Sequence, residues 1–292
     1  MTKKHARWSW LFLTPFIIGL LIFTFYPMIF SVYYAFCDYN IFNPPKWVGL
    51  ANFAKILPDP ATWKAYRNSF AFALTYIPVQ IFLAMIFASA LNQKIKTIGF
   101  WRVIYYLPSL TPWVAACTVF TVLYNPAYGP LNYFLSFVGL HSDFIQSTNW
   151  FTVVTSLSFI SIWKGVGSQT IYMLAAMQNI SSDVLEAADI DGATGIAKFF
   201  KIKMPLLTPM IFLLLLLSLK NSVGVFDSFY TMLGGGSGVN ENFTVPGVLQ
   251  YEYSFVFNKV GLGSALSWVT FAIVGILTII QKKSEEKWVH YE

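Results

Sequence analysis

The residues best suited to chemistry in this chain lie in one polar stretch between two long apolar segments. The small side chains of Ala187 and Ala188 let another backbone approach closely, and Glu186 and Asp191 place charge beside them. Two interpretations fit: a helical hairpin that docks in a groove of a protein partner, or one that lies on anionic lipid headgroups. The residues assigned to docking are Glu186, Ala187, Ala188, Asp191, Gly192, Ala193, Phe199 and Pro205.

The spacing within this stretch, residues 181–204, predicts two short helices joined by a turn. Asp183, with Glu186 three residues later, matches a capping box at the start of the first helix. Gly192 follows where a helix would end, a position that favours left-handed backbone. Phe199 lies on one face of the second helix, and Pro205 is expected to end that helix and open the next apolar segment.

A second set of polar residues lies inside the apolar segments on either side of this loop. Lys164 stands midway along the first segment, where a charge costs at least about 2.5–3.5 kcal/mol and should face a cavity or a partner. Lys220 and Asp227 are seven residues apart in the second segment and are therefore expected on one helical face, two turns apart. An ion pair of either lysine with Asp227, or interhelical hydrogen bonding, is the structural alternative. Small and polar residues lie at similar depth in the two segments, namely Ser161, Lys164, Gly165, Ser168, Ser218, Asn221 and Ser222.

Other chemistries find no support in the sequence. It contains no phosphate-binding Gly-x-x-x-x-Gly-Lys-Ser/Thr motif, and the glycine cluster at 234–238 lacks a following lysine. The three histidines are scattered, so no metal site is predicted. Cys37 and Cys117 are too few for a disulfide framework. We therefore expect no catalytic residue, no metal and no cofactor in this chain.

The composition predicts a membrane protein. Of the 292 residues, 56% are hydrophobic and only 11% are charged, whereas a soluble domain has about a quarter of its residues charged. The apolar runs are long enough for spanning helices and too uniform for barrel strands. The expected fold is an all-α polytopic membrane protein with six transmembrane helices at about 10–36, 70–92, 102–124, 150–177, 205–229 and 263–281.

The distribution of Lys and Arg predicts the orientation. Most of the 19 basic residues lie near the termini, in the loop around Lys94 and Lys96, or in the 181–204 loop. The positive-inside rule then places both termini and the 181–204 loop in the cytoplasm. This asymmetry explains the net charge of +6 without nucleic acid. We expect an N-terminal segment with the first span and an outer loop at 1–69, a core of five spans with the 181–204 loop at 70–281, and a cytoplasmic tail at 282–292.

The 181–204 loop and its flank resemble those of a known family. Glu186-Ala187-Ala188, Asp191-Gly192-Ala193, Phe199, Ile202, Pro205 and Pro209 resemble the coupling loop of permease subunits in binding-protein-dependent ABC importers. Further likeness covers nearly the whole chain and points to the carbohydrate branch, specifically the first-type subunit of maltose-like transporters. It is carried by Trp47–Phe53, Leu107-Pro108, and Phe226–Tyr230 with the glycine cluster that follows. Gly236 departs from the usual proline of that branch.

The resemblance implies a type I ABC importer permease with a cytoplasmic coupling helix, in a bacterial plasma membrane. It further implies a second permease subunit, two cytoplasmic ATPase subunits that hold ATP and Mg, and an extracellular solute-binding protein that delivers a sugar. The chain itself would be a transport subunit and not an enzyme. In the family, the spans on either side of the loop help to line the sugar pathway, so the resemblance assigns this role to the seven small and polar residues of these spans from Ser161 to Ser222. If Lys164 faces that pathway, an acidic sugar is favoured, although a neutral sugar also accepts hydrogen bonds.

Three alternatives belong to other classes. An ion-coupled secondary transporter would show inverted repeats and carboxylates deep in its spans, and no such repeat is found in the sequence. A membrane-embedded enzyme would need a clustered catalytic constellation. An ABC permease for an amino acid, peptide or phosphate keeps the mechanism and changes the cargo, and the Phe226–Tyr230 region weighs against it.

Overall fold

The computed structural model describes residues 3–93, 98–193, 195–234 and 241–290, with side chains from Trp10 onward and without that of Glu241. Lys94, Lys96 and the predicted turn at 235–238 lie outside these ranges. The described chain is almost entirely helical, with one short antiparallel pair of strands, β1 (Cys37–Asp38) and β2 (Lys46–Trp47). The first helices are α1 (Lys3–Leu20), α2 (Tyr26–Ala35), α3 (Ala51–Ile56), α4 (Pro60–Leu91), α5 (Ile98–Leu110), α6 (Trp113–Leu123), α7 (Pro130–Ser136) and α8 (Trp150–Gln178). The remaining ones are α9 (Ser182–Ile190), α10 (Gly195–Lys198), α11 (Met204–Leu206), α12 (Thr208–Val223), α13 (Asp227–Leu233), α14 (Pro246–Tyr251) and α15 (Val260–Trp288).

Three of the described helical stretches are long and apolar enough to cross a membrane. They are Trp10–Ala35, Pro60–Leu91 and Val260–Trp288, each with a mean hydropathy of 2.0. Two bent pairs raise the number to five if each pair is one span. The predicted fourth span coincides with the 29-residue helix α8, which is less apolar because Ser, Thr, Gln and Lys164 lie on its buried face. The count of six spans stays a prediction.

The predicted third span is broken between α5 and α6, which meet at 94°. Pro108 lies inside α5, and Pro112 has extended backbone (φ −56°, ψ 140°) just before α6. A proline removes one backbone donor and clashes with the preceding turn, so the pair concentrates the bend between them. Pro78, by contrast, lies within the continuous helix α4.

The predicted fifth span differs from the structure at both ends. Its helix α12 begins at Thr208, after a bend of 66°, and ends at Val223 with Gly224 as its cap. Asp227 then opens the separate helix α13. The expectation that Lys220 and Asp227 share one helical face is therefore wrong, because the helix stops between them.

Two compact units divide the chain. The first comprises Met1–Thr62 and Leu249–Phe271. In it, the buried Asn52 amide donates to the backbone carbonyls of Ala35 and Cys37, at 3.0 and 2.8 Å. A Cβ on Gly261 would overlap the Cys37 carbonyl, so this position requires glycine. These contacts fasten the end of α2 to α3 and to the start of α15.

The second unit comprises Trp63–Val248 and Ala272–Glu292. Its core is formed by α4, α6, α8, α12 and α13, with side chains such as Phe72, Leu157, Leu214 and Phe229 fully or almost fully buried. Phe72 and Phe229 meet edge to face at 5.3 Å. This unit contains both the 181–204 loop and the helices on either side of it. The functional boundaries expected after residues 69 and 281 stay predictions.

Candidate functional site: the 181–204 loop and the polar faces of its flanking helices

The first arm of the loop is α9, whose N-cap lies two residues before the predicted one. Ser181 is the N-cap, and its hydroxyl accepts a hydrogen bond from the backbone N–H of Asp183 at 3.2 Å. The predicted capping box on Asp183 and Glu186 is therefore wrong. Asp183 instead lies in the first turn of α9, where its negative charge is favoured by the helix dipole.

The turn after α9 depends on Gly192. Its φ is +76°, in the left-handed region that glycine adopts at no steric cost. The Ala193 N–H donates to the Ala188 carbonyl at 2.9 Å, and the Gly192 N–H donates to the Asp189 carbonyl at 3.1 Å. These bonds satisfy the last carbonyls of α9, as in a Schellman-type ending. The left-handed turn predicted at Gly192 is confirmed.

An ion pair joins the two arms of the loop. Lys198, the last residue of α10, places its Nζ 2.6 Å from Oδ1 of Asp189 on α9. The Lys198 side chain is 17% exposed and that of Asp189 is 60% exposed. The sequence reasoning missed this pair, because Asp191 lies nearer to the turn than Asp189 and the sequence does not show which of the two meets Lys198.

The second arm runs through Pro205 without a break. After α10 the helix widens into a π turn at Phe199–Lys203 and continues as α11, which has Pro205 in its first turn. The prediction that Pro205 ends this helix is wrong, because the widened turn accommodates a residue without an N–H. The bend falls instead at the buried Leu207, and Pro209 opens α12.

The exposed surface of the loop combines apolar and acidic groups. Ile190 is 87% exposed and Ile196 is 78% exposed, one on each side of the turn. Sequence reasoning missed Ile190 and placed Ile196 only on a helix face. Glu186, Ala187, Asp191 and Gly192 are also exposed, whereas Ala188 is buried and Ala193, Phe199 and Pro205 are half-buried. Four of the eight predicted docking residues are therefore exposed, three are half-buried and Ala188 is buried.

A hydrogen-bond cluster joins the helices on either side of the loop. The Gln169 amide on α8 donates to the Ser218 hydroxyl on α12 at 2.9 Å. The Tyr76 hydroxyl on α4 donates to the Ser218 carbonyl at 2.8 Å. A Cβ on Gly165 would overlap the Gln80 amide, so the Gln80 side chain can pack here only because residue 165 is glycine. Of the predicted pathway residues, Gly165 and Ser218 thus belong to this cluster, and sequence reasoning missed Tyr76 and Gln80.

Two acceptors in this cluster are buried without a partner in the described part of the chain. They are the side-chain carbonyl oxygens of Gln80 and Gln169, whose side chains are 5% and 9% exposed. A buried polar group without a hydrogen bond costs about 1–3 kcal/mol. The cluster therefore retains capacity to accept hydrogen bonds from hydroxyl groups.

Lys164 lies at the break between α5 and α6. Its Nζ donates to the carbonyl oxygens of Ser109 and Thr111, at 3.3 and 2.5 Å, and lies 5.0 Å from the centre of the Trp113 ring. The Ser109 hydroxyl donates back to the Lys164 carbonyl at 2.9 Å. The lysine is 7% exposed, and its positive charge meets the carbonyl end of α5, where it is favoured.

The ion pairs considered for the two lysines are not formed within the described ranges. Neither Lys164 nor Lys220 meets Asp227, whereas His141 pairs with Asp143 and Lys198 with Asp189. Lys164 instead takes the alternative of interhelical hydrogen bonding.

The remaining pathway residues differ in exposure. Asn221 is exposed and Ser168 is half-buried. Ser161 and Ser222 are buried, and their hydroxyls donate to carbonyls of their own helices, Leu157 and Leu219. A role for these residues in a substrate pathway stays a prediction. No cluster of metal-ligating side chains occurs among the described residues.

The helical architecture and the loop between spans define a class of membrane permease, and comparison with known proteins identifies the family. The family model for the inner membrane component of binding-protein-dependent transport systems matches residues 68–288. The chain belongs to this family.

Several relatives match along almost their whole length. The chain is 32% identical to the probable ABC transporter permease protein YesP of Bacillus subtilis, over 99% of this chain and 94% of that protein. It is 30% identical to the multiple sugar-binding transport system permease protein MsmF of Streptococcus mutans, over 97% of each. It is 31% identical to the sn-glycerol-3-phosphate transport system permease protein UgpA of Agrobacterium fabrum, over 97% of this chain and 96% of that protein.

A solved structure shows the same fold. A chain of a bacterial alginate ABC transporter, crystallised with an alginate pentasaccharide-bound periplasmic protein, matches with a TM-score of 0.82 at 22% identity. The match covers 97% of this chain and 96% of that chain. The predicted type I ABC importer permease fold is thereby confirmed.

Proposed function

We propose that this chain is the first-type permease subunit of a carbohydrate ABC importer, which moves a sugar or oligosaccharide across a bacterial plasma membrane. It works with a second, related permease subunit, two ATPase subunits and an extracellular solute-binding protein. Membership of the binding-protein-dependent transport family supports this proposal. ATP and Mg are held by the ATPase subunits, and this chain contributes the pathway and the mechanical connection.

The observation that carries the proposal is the geometry of the 181–204 loop. Two short arms meet at Gly192, are joined by the pair of Asp189 and Lys198, and expose Ile190 and Ile196 at the turn. Exposed isoleucines beside small residues are more favourable in an apolar groove of a partner than in contact with water. The polar Glu186 and Asp191 at the same surface favour a protein groove over the lipid core.

The orientation proposed is both termini and this loop in the cytoplasm. It rests on the excess of basic residues near the loop and near the termini. In that orientation the loop meets the ATPase subunits, and their closure on ATP moves α9 with the helices that it joins. Because α8 and α12 flank the loop, such a movement reaches the hydrogen-bond cluster around Ser218.

The proposed pathway runs along α8 and α12. It is lined by Ser161, Lys164, Gly165, Ser168, Ser218, Asn221 and Ser222. Asn221 is the exposed member and is proposed to contact sugar directly. Lys164 is proposed to support the wall at the helix break, since its ammonium group already donates to two backbone carbonyls.

Sugar as the cargo is supported by the relatives, whose names include multiple sugars for MsmF and trehalose and maltose for a Thermococcus litoralis permease. An acidic cargo is the second candidate, because the structural neighbour imports alginate, an acidic polysaccharide, and UgpA is named for glycerol phosphate.

Co-purification tests the assembly. The affinity-tagged chain, expressed with its neighbouring transport genes, should bring down a second permease subunit and two copies of an ATPase subunit. Mass spectrometry of the ligand held by the binding protein then identifies the sugar. Recovery of the chain alone or as a homodimer, with active ATPase absent from the membrane fraction, would contradict the proposal.

A further inference from the structure

A bend joins the second arm of the 181–204 loop to the membrane helix that follows it. The arm ends with α11, and α12 begins at Thr208 after a change of direction of 66°. The end of α15 lies against this bend, since the backbone of His290 contacts Thr208. A movement of the second arm reaches α12 only through this bend, so the contacts that fix its angle decide how much of the movement is transmitted.

The backbone alone holds the bend weakly. The N–H of Leu207 donates to the carbonyls of Lys203 and Met204, at 3.0 and 3.1 Å, and so closes the last turn of the arm. In a continuous α-helix the N–H of residue 209 would donate to the carbonyl of Pro205. Residue 209 is a proline and has no N–H. The Pro205 carbonyl therefore needs a donor from a side chain.

The Thr208 hydroxyl supplies the missing donor. It donates to the Pro205 carbonyl at 2.6 Å, and it accepts a hydrogen bond from the backbone N–H of His290, two residues beyond α15, at 3.0 Å. A hydroxyl group can donate one hydrogen bond and accept others. This one group therefore joins the arm before the bend to the end of another membrane helix.

A ring contact one turn further along α12 strengthens the same link. The rings of Phe212 and Trp288 lie 6.1 Å apart with their planes at 67°, the edge-to-face arrangement that aromatic pairs favour. Both side chains are half-buried. Two turns beyond Phe212, Leu219 faces Val274 and Leu277 of α15 across a gap too small for a water molecule. Helices α12 and α15 are thus in contact from the bend onward.

We infer that Thr208 is a positioning residue for coupling, because its hydroxyl ties the bend to α15 and makes the second arm, α12 and α15 move together. A movement of the arm then shifts two membrane helices instead of only changing the angle at Leu207. Trp288 supports this link through Phe212. The source of the movement rests on the proposed function, whereas the link itself rests on the contacts of Thr208 and Phe212.

Two measurements on the purified complete complex test this role, and the first needs neither ATP nor sugar. Nitroxide labels are attached to cysteines at Lys201 on the second arm and Lys287 on α15, both exposed, in a chain without Cys37 and Cys117. Pulsed EPR then gives the spread of the distance between the labels. The second measurement compares ATP hydrolysis with and without the sugar-loaded binding protein, in the unlabelled complex.

Four variants separate the contacts. Thr208→Val removes the hydroxyl with little change of shape, and Thr208→Ser keeps the hydroxyl. Trp288→Ala breaks the ring contact and leaves the bond to Pro205 in place. The matched control is Thr278→Val on α15, because the Thr278 hydroxyl donates to the Val274 carbonyl of its own helix at 2.8 Å.

Thr208→Val and Trp288→Ala should each widen the distance distribution. Each should lower the ratio of stimulated to basal ATP hydrolysis about fivefold, as expected for one hydrogen bond or one aromatic pair. Thr208→Ser and Thr278→Val should keep both values.

An unchanged distribution or an unchanged ratio in Thr208→Val would overturn the inference. So would a normal ratio in Trp288→Ala, since Thr208 would then act on Pro205 alone. Equal losses of basal and stimulated hydrolysis would reduce Thr208 to a structural role and overturn it as well. If the variants widen the distribution as expected but the unaltered complex transports no sugar, the proposed function alone is contradicted.

Discussion

Lys198 Nζ lies 2.6 Å from Asp189 Oδ1 and so joins the two arms of the 181–204 loop across the turn at Gly192. Since the Asp189 side chain is 60% exposed, the pair adds at most about 1 kcal/mol to stability. Its value lies in orientation, because it fixes α9 relative to the arm that continues into α12. A force applied to α9 then reaches the membrane helices with little loss in the turn.

Asp189→Asn should weaken coupling without unfolding the protein. The loop would keep its backbone hydrogen bonds and lose the charge that holds Lys198. We expect the ATP hydrolysis stimulated by the sugar-loaded binding protein to fall severalfold, with basal hydrolysis unchanged. The double exchange Asp189→Lys with Lys198→Asp should restore much of the stimulation. Equal losses in the single and double variants would show that the pair itself does not matter.

Gly192→Val should also uncouple hydrolysis from transport, for a different reason. A β-branched residue resists the φ of +76° found at this position, so the end of α9 must rearrange. Gly192→Asn is the matched control, because Asn tolerates left-handed backbone. Stimulated ATP hydrolysis and membrane insertion are measured for both. We expect insertion of both proteins, strong loss of stimulation for Val and near-normal stimulation for Asn. Full stimulation in the Val variant would refute the role given to the turn.

Lys164→Met should lower the yield and thermal stability of the assembled complex. Removal of the ammonium leaves the half-buried carbonyls of Ser109 and Thr111 without this donor at a bend of 94°, and each lost hydrogen bond costs about 1 kcal/mol. Lys164→Arg keeps the charge and should retain part of the stability. Assembled complex and sugar uptake are quantified in the same membranes. Normal assembly with selective loss of uptake of an acidic sugar would instead give Lys164 a direct role with cargo.

Cysteine labelling tests whether α8 crosses the membrane. Thr148 and Ser182 lie just outside the two ends of this helix. A cysteine-free background is practicable, because Cys37 and Cys117 form no disulfide. Thr148→Cys should react with an impermeant maleimide on intact spheroplasts, and Ser182→Cys only after lysis. Reaction of both positions on intact spheroplasts would contradict the six-span arrangement.

The class of protein and the key turn could be predicted from the sequence, because both depend on local signals. Long apolar runs indicate spanning helices wherever they fold, and a glycine after a short helix favours left-handed backbone in most contexts. Gly192 is the clearest case. The function was predicted from the resemblance of residues 186–209 to the coupling loop of one family.

The sequence could not predict features that depend on competition or on distant contacts. Ser181 and Asp183 are both good caps, and only the folded chain shows that Ser181 is used. Pro205 was expected to end a helix, but the π turn before it lets the helix continue although proline has no backbone N–H. The partners of Lys164 are backbone carbonyls on another helix, for which a sequence carries no side-chain signal.

Sugar uptake by the reconstituted complex tests the central claim most directly. Proteoliposomes containing this chain, its partner permease and the ATPase subunits are loaded with ATP and Mg, and radiolabelled sugar and binding protein are added outside. The account predicts uptake that requires both ATP and the binding protein and that is lost in the Gly192→Val complex. Uptake without ATP or driven by an ion gradient, or full uptake by the Gly192→Val complex, would contradict it.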